Sequence, residues 1–183
     1  MTKFYIVWHG QTDYNKSHRI QGKLDVPLNG VGKEQARKIA DDLAGINFDA
    51  IYYSSLTRAK QTANEIYKNH KNAKYIEAPE IVERNFGDYE EEFVADKPAC
   101  FELWNRDREL ELVKNGETMD DMKRRIFPFL DKLAFEHKDE TICLVCHGGT
   151  SLIIREYFEG MPESGNLLDF PPIQNGGVVI FEK

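Results

Sequence analysis

Two short apolar runs, Phe4-Tyr5-Ile6-Val7-Trp8 and Thr141-Ile142-Cys143-Leu144-Val145-Cys146, each stop abruptly at a histidine followed by glycine. Runs of this length and apolarity read as strands buried on both faces, the kind a parallel sheet requires. Helical patterns separate them. Ala36, Ile39, Ala40 and Leu43 follow the i, i+3, i+4, i+7 rule, and Ala59, Ala63, Ile66 and Tyr67 share another face. Met119, Met122, Ile126, Leu130 and Leu133 mark a long helix, with Pro128 expected to kink it, and Leu152, Ile153, Arg155 and Phe158 mark the last. Ala50–Tyr53, Lys74–Ala78 at an edge and Val178–Phe181 supply further strands. Strands alternating with helices predict an α/β fold, a three-layer α/β/α sandwich around a mostly parallel sheet.

In such a sheet the carboxyl ends of the strands share one edge, and ligands collect there. His9 and His147 are therefore expected to face each other from distant parts of the chain. Arg58 belongs to the same edge, because Ser54-Ser55 follows a strand, offers hydroxyls to cap the next helix, and puts Arg58 in that helix's first turn. A cation is out of place there, since the helix dipole already favours negative charge. An anion held jointly by the helix start and the guanidinium resolves the conflict. Singly, each of these residues is better explained by a structural role; together they describe an anion pocket. Polar residues 13–29, with no clear periodicity, form a loop long enough to suggest function.

Composition narrows the partners. A net charge of −7 disfavours nucleic acid, which calls for a broad basic field, so any positive charge that holds an anion must be local. No apolar run approaches the roughly 20 residues of a membrane helix. Met1-Thr2-Lys3 leads directly into the first strand, which leaves no room for a signal peptide and makes a cytoplasmic protein the expectation. Three cysteines argue against a disulfide framework. Cys143 and Cys146 form a C-x-x-C, but within a strand they point to opposite faces, which favours core packing over redox or zinc chemistry. Neither histidine has metal-ligand spacing. The length of 183 residues suits one domain, 1–183, with a charged helical insertion at about 94–115; the oligomeric state is not legible.

The motifs extend beyond the two histidines. They run, in order, His9-Gly10-Gln11-Thr12, Arg19-Ile20-Gln21-Gly22 with Asp25-Val26-Pro27-Leu28-Asn29, Ser54-Ser55-Leu56-Thr57-Arg58-Ala59-Lys60-Gln61-Thr62-Ala63, Glu83-Arg84-Asn85-Phe86-Gly87, Asn115-Gly116-Glu117-Thr118 and His147-Gly148-Gly149. In this order and spacing they resemble the histidine phosphatase superfamily, which includes phosphoglycerate mutases and fructose-2,6-bisphosphatases, over almost the whole chain. The resemblance implies a phosphoglycerate mutase-like fold and a phosphomonoester hydrolase, with His9 as the nucleophile that becomes phosphohistidine and Glu83 as general acid for the leaving alcohol. It further implies that Arg58, His147 and Asn15 hold the phosphoryl oxygens, with Gln21, Gly22 and Gly148 lining the same site. No metal or cofactor is required, and the implied partner is a small phosphorylated metabolite. Mutases of the family carry a longer, basic insertion after the acid loop; here residues 84–115 are few and rich in Glu and Asp, which favours phosphatase over mutase (isomerase) chemistry.

One position departs from the pattern. The family has arginine before the nucleophile, and this chain has Trp8. An arginine there makes charge-assisted, often bidentate bonds to phosphate, where an indole offers one neutral donor. Three readings stay open: an isolated or engineered change in an active enzyme, a weakened member that serves as an anion-binding module, or an indole that stacks on an unusual substrate.

Overall fold

A computed structural model describes all residues 1–183. Five strands form one sheet in the order β3-β2-β4-β1-β5. They are β1 (Lys3–Trp8), β2 (Ala50–Tyr53), β3 (Lys74–Glu77), β4 (Thr141–Cys146) and β5 (Val178–Glu182). All neighbours are parallel except β5, which runs antiparallel along β1. The helices are α1 (Asp13–Lys16), α2 (Gly30–Asp42), α3 (Thr57–Lys68), α4 (Glu109–Leu112), α5 (Met119–Glu136) and α6 (Gly148–Glu159).

The period of two along each strand divides the core between two layers. Phe4, Ile6, Ile142, Leu144 and Cys146 pack with α5 and α6. Tyr5, Val7, Cys143 and Val145 point the other way, onto α2 and α3. The two cysteines of the C-x-x-C therefore lie on opposite faces, as expected, and both thiols are free, buried and pushed above their ordinary range by that burial. The three-layer sandwich is the observed architecture. No helix is long and apolar enough to cross a membrane.

Three local expectations need correction. Residues 13–29 are not structureless, because Thr12 and Asn15 make a reciprocal capping box that closes the short helix α1. Ser54 and Ser55 do not cap α3; the Asp25 carboxylate does, accepting from the Thr57 amide at 2.6 Å and its hydroxyl at 2.9 Å. A carboxylate satisfies the helix start better than a neutral hydroxyl, and it frees Ser54 for another partner. Third, the 94–115 segment is helical only in pieces, a 3-10 stretch at Pro98–Trp104 and the single turn of α4. Helix α5 runs unbroken through Pro128.

A buried arginine fixes that irregular segment in place of regular hydrogen bonding. Arg84 donates to the Leu103 and Glu117 carbonyls at 2.6 and 2.9 Å and to Glu109 Oε2 at 3.0 Å, while its guanidinium lies 4.8 Å from the Trp104 ring. The Glu109 carboxylate also accepts the Met119 amide that opens α5, at 2.8 Å. Removing one partner of a buried ion pair leaves the other uncompensated, at a cost of about 3–5 kcal/mol. Glu109→Ala is therefore expected to lose about 3 kcal/mol of stability in urea denaturation, with Glu109→Gln, which keeps an acceptor, losing distinctly less.

Candidate active site

Because Trp8 pairs with Cys146 in the β1–β4 register, the next residue of each strand, His9 and His147, emerges at the same sheet edge. Their ring centroids are 5.1 Å apart. Both are buried, as is Arg58, which α3 delivers from the adjoining strand β2. The three residues singled out as an anion pocket do converge.

The tautomer of His9 follows from its partners. Nδ1 lies 2.7 Å from the Gly10 carbonyl, which can only accept, so Nδ1 carries the proton and Nε2 keeps its lone pair. Two donors aim at that lone pair, Arg58 Nε at 3.1 Å and Trp8 Nε1 at 3.3 Å. Burial, reinforced by the Arg58 charge, lowers the His9 pKa from 6.5 to about 3, so the ring is neutral at physiological pH. Gly10 is itself held by Thr62 Oγ1, which accepts its amide at 3.1 Å.

His147 Nε2 lies 2.7 Å from Ser54 Oγ, and its Nδ1 is buried with no partner in the protein. Burial, with the Arg58 cation, drives its pKa well below the ordinary value. A serine hydroxyl both donates and accepts, so the proton sits on Nδ1 when Ser54 donates to Nε2 and on Nε2 when it accepts; in either case Nδ1 is unspent, in a ring 5.1 Å from the other imidazole. Ser54 was not legible as its partner, because a serine after a strand looks like a helix cap.

Arg58 is held by two carbonyls, Leu24 at 2.6 Å and Gly22 at 2.8 Å. Gly22 adopts φ +53°, a backbone conformation that presents its carbonyl to the guanidinium. Burial draws the Arg58 pKa down to about 10, which leaves it a cation at neutral pH.

Glu83 closes the far side. Its Oε1 accepts the amides of Arg84 at 2.8 Å and Thr150 at 3.0 Å, while Oε2 accepts only the Gly149 amide at 3.0 Å. The carboxyl group thus caps α6, whose N-cap His147 makes no side-chain cap bond. A Cβ on Gly149 would lie 2.6 Å from Glu83 Oε1 and 2.5 Å from Trp104, so only glycine admits this approach. With Oε1 saturated, Oε2 is the oxygen with room for a proton.

A cavity of about 220 Å³ opens between these groups, lined by His9, Arg58, Glu83, Asn15, Gln21 and Gly22 among others. Asn15 and Gln21 line it, but their Oδ1 and Oε1 atoms are occupied by Thr12, whose amide and hydroxyl donate to Asn15 and whose hydroxyl reaches Gln21 at 2.8 Å. Gly148 falls in a neighbouring cavity instead, against the Trp8 indole. Arg19 also lines the cavity beside His9, stacked 4.4 Å from the Phe93 ring; His147 adjoins the His9 ring but does not line that cavity.

A buried neutral imidazole with one unprotonated nitrogen, a cation and a carboxyl group around one cavity define a site suited to a phosphoryl group. The chain belongs to the histidine phosphatase superfamily (branch 1), whose family model matches residues 4–182. It is 33% identical to the metal-independent phosphoserine phosphatase of Arabidopsis thaliana, over 92% of this chain and 74% of that protein. The uncharacterized phosphatase PhoE of Bacillus subtilis is 30% identical over 89% of this chain and 81% of its own length. Among solved structures, Bacillus stearothermophilus YhfR superposes with a TM-score of 0.88 at 26% identity, covering 100% of this chain and 91% of that one.

Keeping two imidazoles neutral costs stability in acid. Folded His9 takes its proton near pH 3, whereas the unfolded ring takes it near 6.5. Between those values the unfolded state binds more protons, so stability is full above about pH 6.5 and falls as pH drops. His147, lowered in the same sense, adds to the slope. Each imidazole contributes up to about 1.4 kcal/mol per pH unit. Urea denaturation at pH 7.5, 6.0 and 5.0 is expected to show this fall, and His147→Gln to flatten it.

Proposed function

We propose that this chain is a single-domain, cytoplasmic phosphomonoester hydrolase that acts on a small phosphorylated metabolite through a phosphohistidine on His9. The observation that carries the reading is the His9 tautomer: Nδ1 is tied to the Gly10 carbonyl, and the Nε2 lone pair faces the cavity, unprotonated down to a pKa of about 3. A nucleophile at nitrogen must hold a free lone pair, and here burial and Arg58 supply that condition.

When a phosphomonoester enters, its dianion takes over the Arg58 Nε–H that His9 Nε2 now accepts. The histidine attacks phosphorus; the P–O bond to the alcohol breaks, and that oxygen takes the Glu83 Oε2 proton. Water then attacks the phosphohistidine, giving its proton to the Glu83 carboxylate, and phosphate leaves with Nε2 restored. Charge accumulates on the equatorial oxygens, where Arg58 and the Asn15 amide group line the cavity as preorganised donors, and His147 Nδ1, unpartnered in the protein, adds a third when it carries the proton. Phosphatase rather than mutase chemistry is favoured by the short segment after Glu83, residues 84–115, which is rich in Glu and Asp; the cavity's one cation besides Arg58 is Arg19, stacked on Phe93.

Trp8 sets the expected rate. Its indole gives one neutral hydrogen bond where charge-assisted bonds of about 1.5–3 kcal/mol each would otherwise form. At about 1.4 kcal/mol per tenfold, Trp8→Arg is expected to raise kcat/KM for a compact phosphomonoester by about two to four orders of magnitude. Rapid quench should trap acid-labile phosphate on the wild-type chain and none on His9→Ala. Hydrolysis by wild type no faster than by His9→Ala, with Trp8→Arg equally inert but still binding phosphate, would make the chain an anion-binding module.

A further inference from the structure

A second cavity, of about 320 Å³, adjoins the one that holds the nucleophile. It runs from the start of α6 to the segment 168–173, and its walls include Leu152, Phe170, Pro172 and Ile173. The two cavities share Trp8, Phe86, Trp104, Leu168 and Glu83. Glu83 is the one ionisable residue common to both.

That shared carboxyl group places the boundary. The oxygen leaving phosphorus must lie beside the group that protonates it, so a phosphoryl group over His9 points its alcohol part past Glu83. The space beyond is apolar. Its other ionisable residue, Arg155, is already committed: Nε donates to Glu159 at 2.7 Å, Nη1 donates to the Pro171 carbonyl at 2.9 Å, and the guanidinium stacks 4.9 Å from Phe170. It braces the wall, with its charge balanced by Glu159. The nearer wall is the Trp8 indole, which lies against Gly148 so closely that a Cβ there would come within 2.9 Å of the ring. An arginine at position 8 would put a cation into this partition; the indole makes it flat and apolar.

Building on the phosphatase reading, we propose that this cavity is the leaving-group site, that it takes phosphomonoesters of apolar, ring-bearing alcohols, and that Trp8 is the residue that sets this preference. The size suits a ligand of that kind. An alcohol part carrying its own carboxylate meets no free cation there and loses hydration without return.

The test compares two primary alkyl phosphates, 2-phenylethyl phosphate and O-phosphoserine, so that leaving-group chemistry does not supply the preference. Wild type is expected to favour the phenylethyl ester at least tenfold in kcat/KM. Leu152→Trp and Ile173→Trp, which fill the second cavity from a helix and from a surface segment, should each cut that ratio at least fivefold, mainly through KM; the pair guards against one variant misfolding. Trp8→Arg should invert the preference. Hydrolysis of both esters at similar kcat/KM, or a ratio indifferent to both filling variants, overturns the apolar assignment while the phosphatase reading stands. Hydrolysis of neither ester, by wild type or Trp8→Arg, overturns both.

Discussion

The site depends on the parallel pairing of β1 with β4 in one register. That register pairs Trp8 with Cys146, so the chain leaves both strands at the same level and two histidines meet in the core. A slip of one residue would turn every side chain of β1 to the opposite layer, taking Phe4 and Ile6 off the α5–α6 face. The register is thus held by the whole core, and the catalytic geometry inherits the rigidity of the sheet. Burial of the imidazoles then follows from their position, and neutrality follows from burial.

The surrounding electrostatics are arranged locally, against the sign of the protein as a whole. The net charge is −7, yet the cavity beside His9 is lined by the buried Arg58 guanidinium. Arg58 can be kept there because backbone carbonyls of Gly22 and Leu24 solvate it and because Asp25, bound to the start of the same helix, offsets its charge nearby. The 13–29 segment is therefore a solvation shell for the arginine as much as a wall of the cavity. On the opposite side Glu83 substitutes for a missing helix cap, which ties the acid's position to the start of α6 and so to His147.

Which of these features a reader of the sequence can reach depends on whether they rest on periodicity or on tertiary contacts. The two strand-His-Gly junctions, the helix faces and the meeting of His9, Arg58 and His147 all follow from local pattern plus the rule that parallel strands share an edge. Ser54 and Asp25 were assigned wrongly or not at all, because which hydroxyl or carboxylate caps a helix is decided by what else competes for it in space. The 94–115 segment reads as helix because its apolar residues have helix-like spacing, whereas its order comes from the ion pair of Arg84 with Glu109, across 25 residues. Glu83 could be named only by resemblance, since nothing in a run of carboxylates tells one from another until Gly149 and Thr150 present their amides to it.

Trp8 stands where the sequence resemblance implies an arginine, and its surroundings suit an indole. An indole is wider than a guanidinium stem and cannot reach as far, so it settles flat on Gly148, where the absence of a side chain leaves room. From there its N–H still reaches His9 Nε2 at 3.3 Å, which keeps one donor at that nitrogen while the ring lines both cavities. Two buried side-chain atoms have no partner in the protein, Nδ1 of His147, whose ring lies 5.1 Å from that of His9, and Oε2 of Glu156 on α6. The position exchanges charge-assisted grip on the phosphoryl group for apolar surface beside the leaving group, and the balance between those two terms determines which esters such a site can turn over.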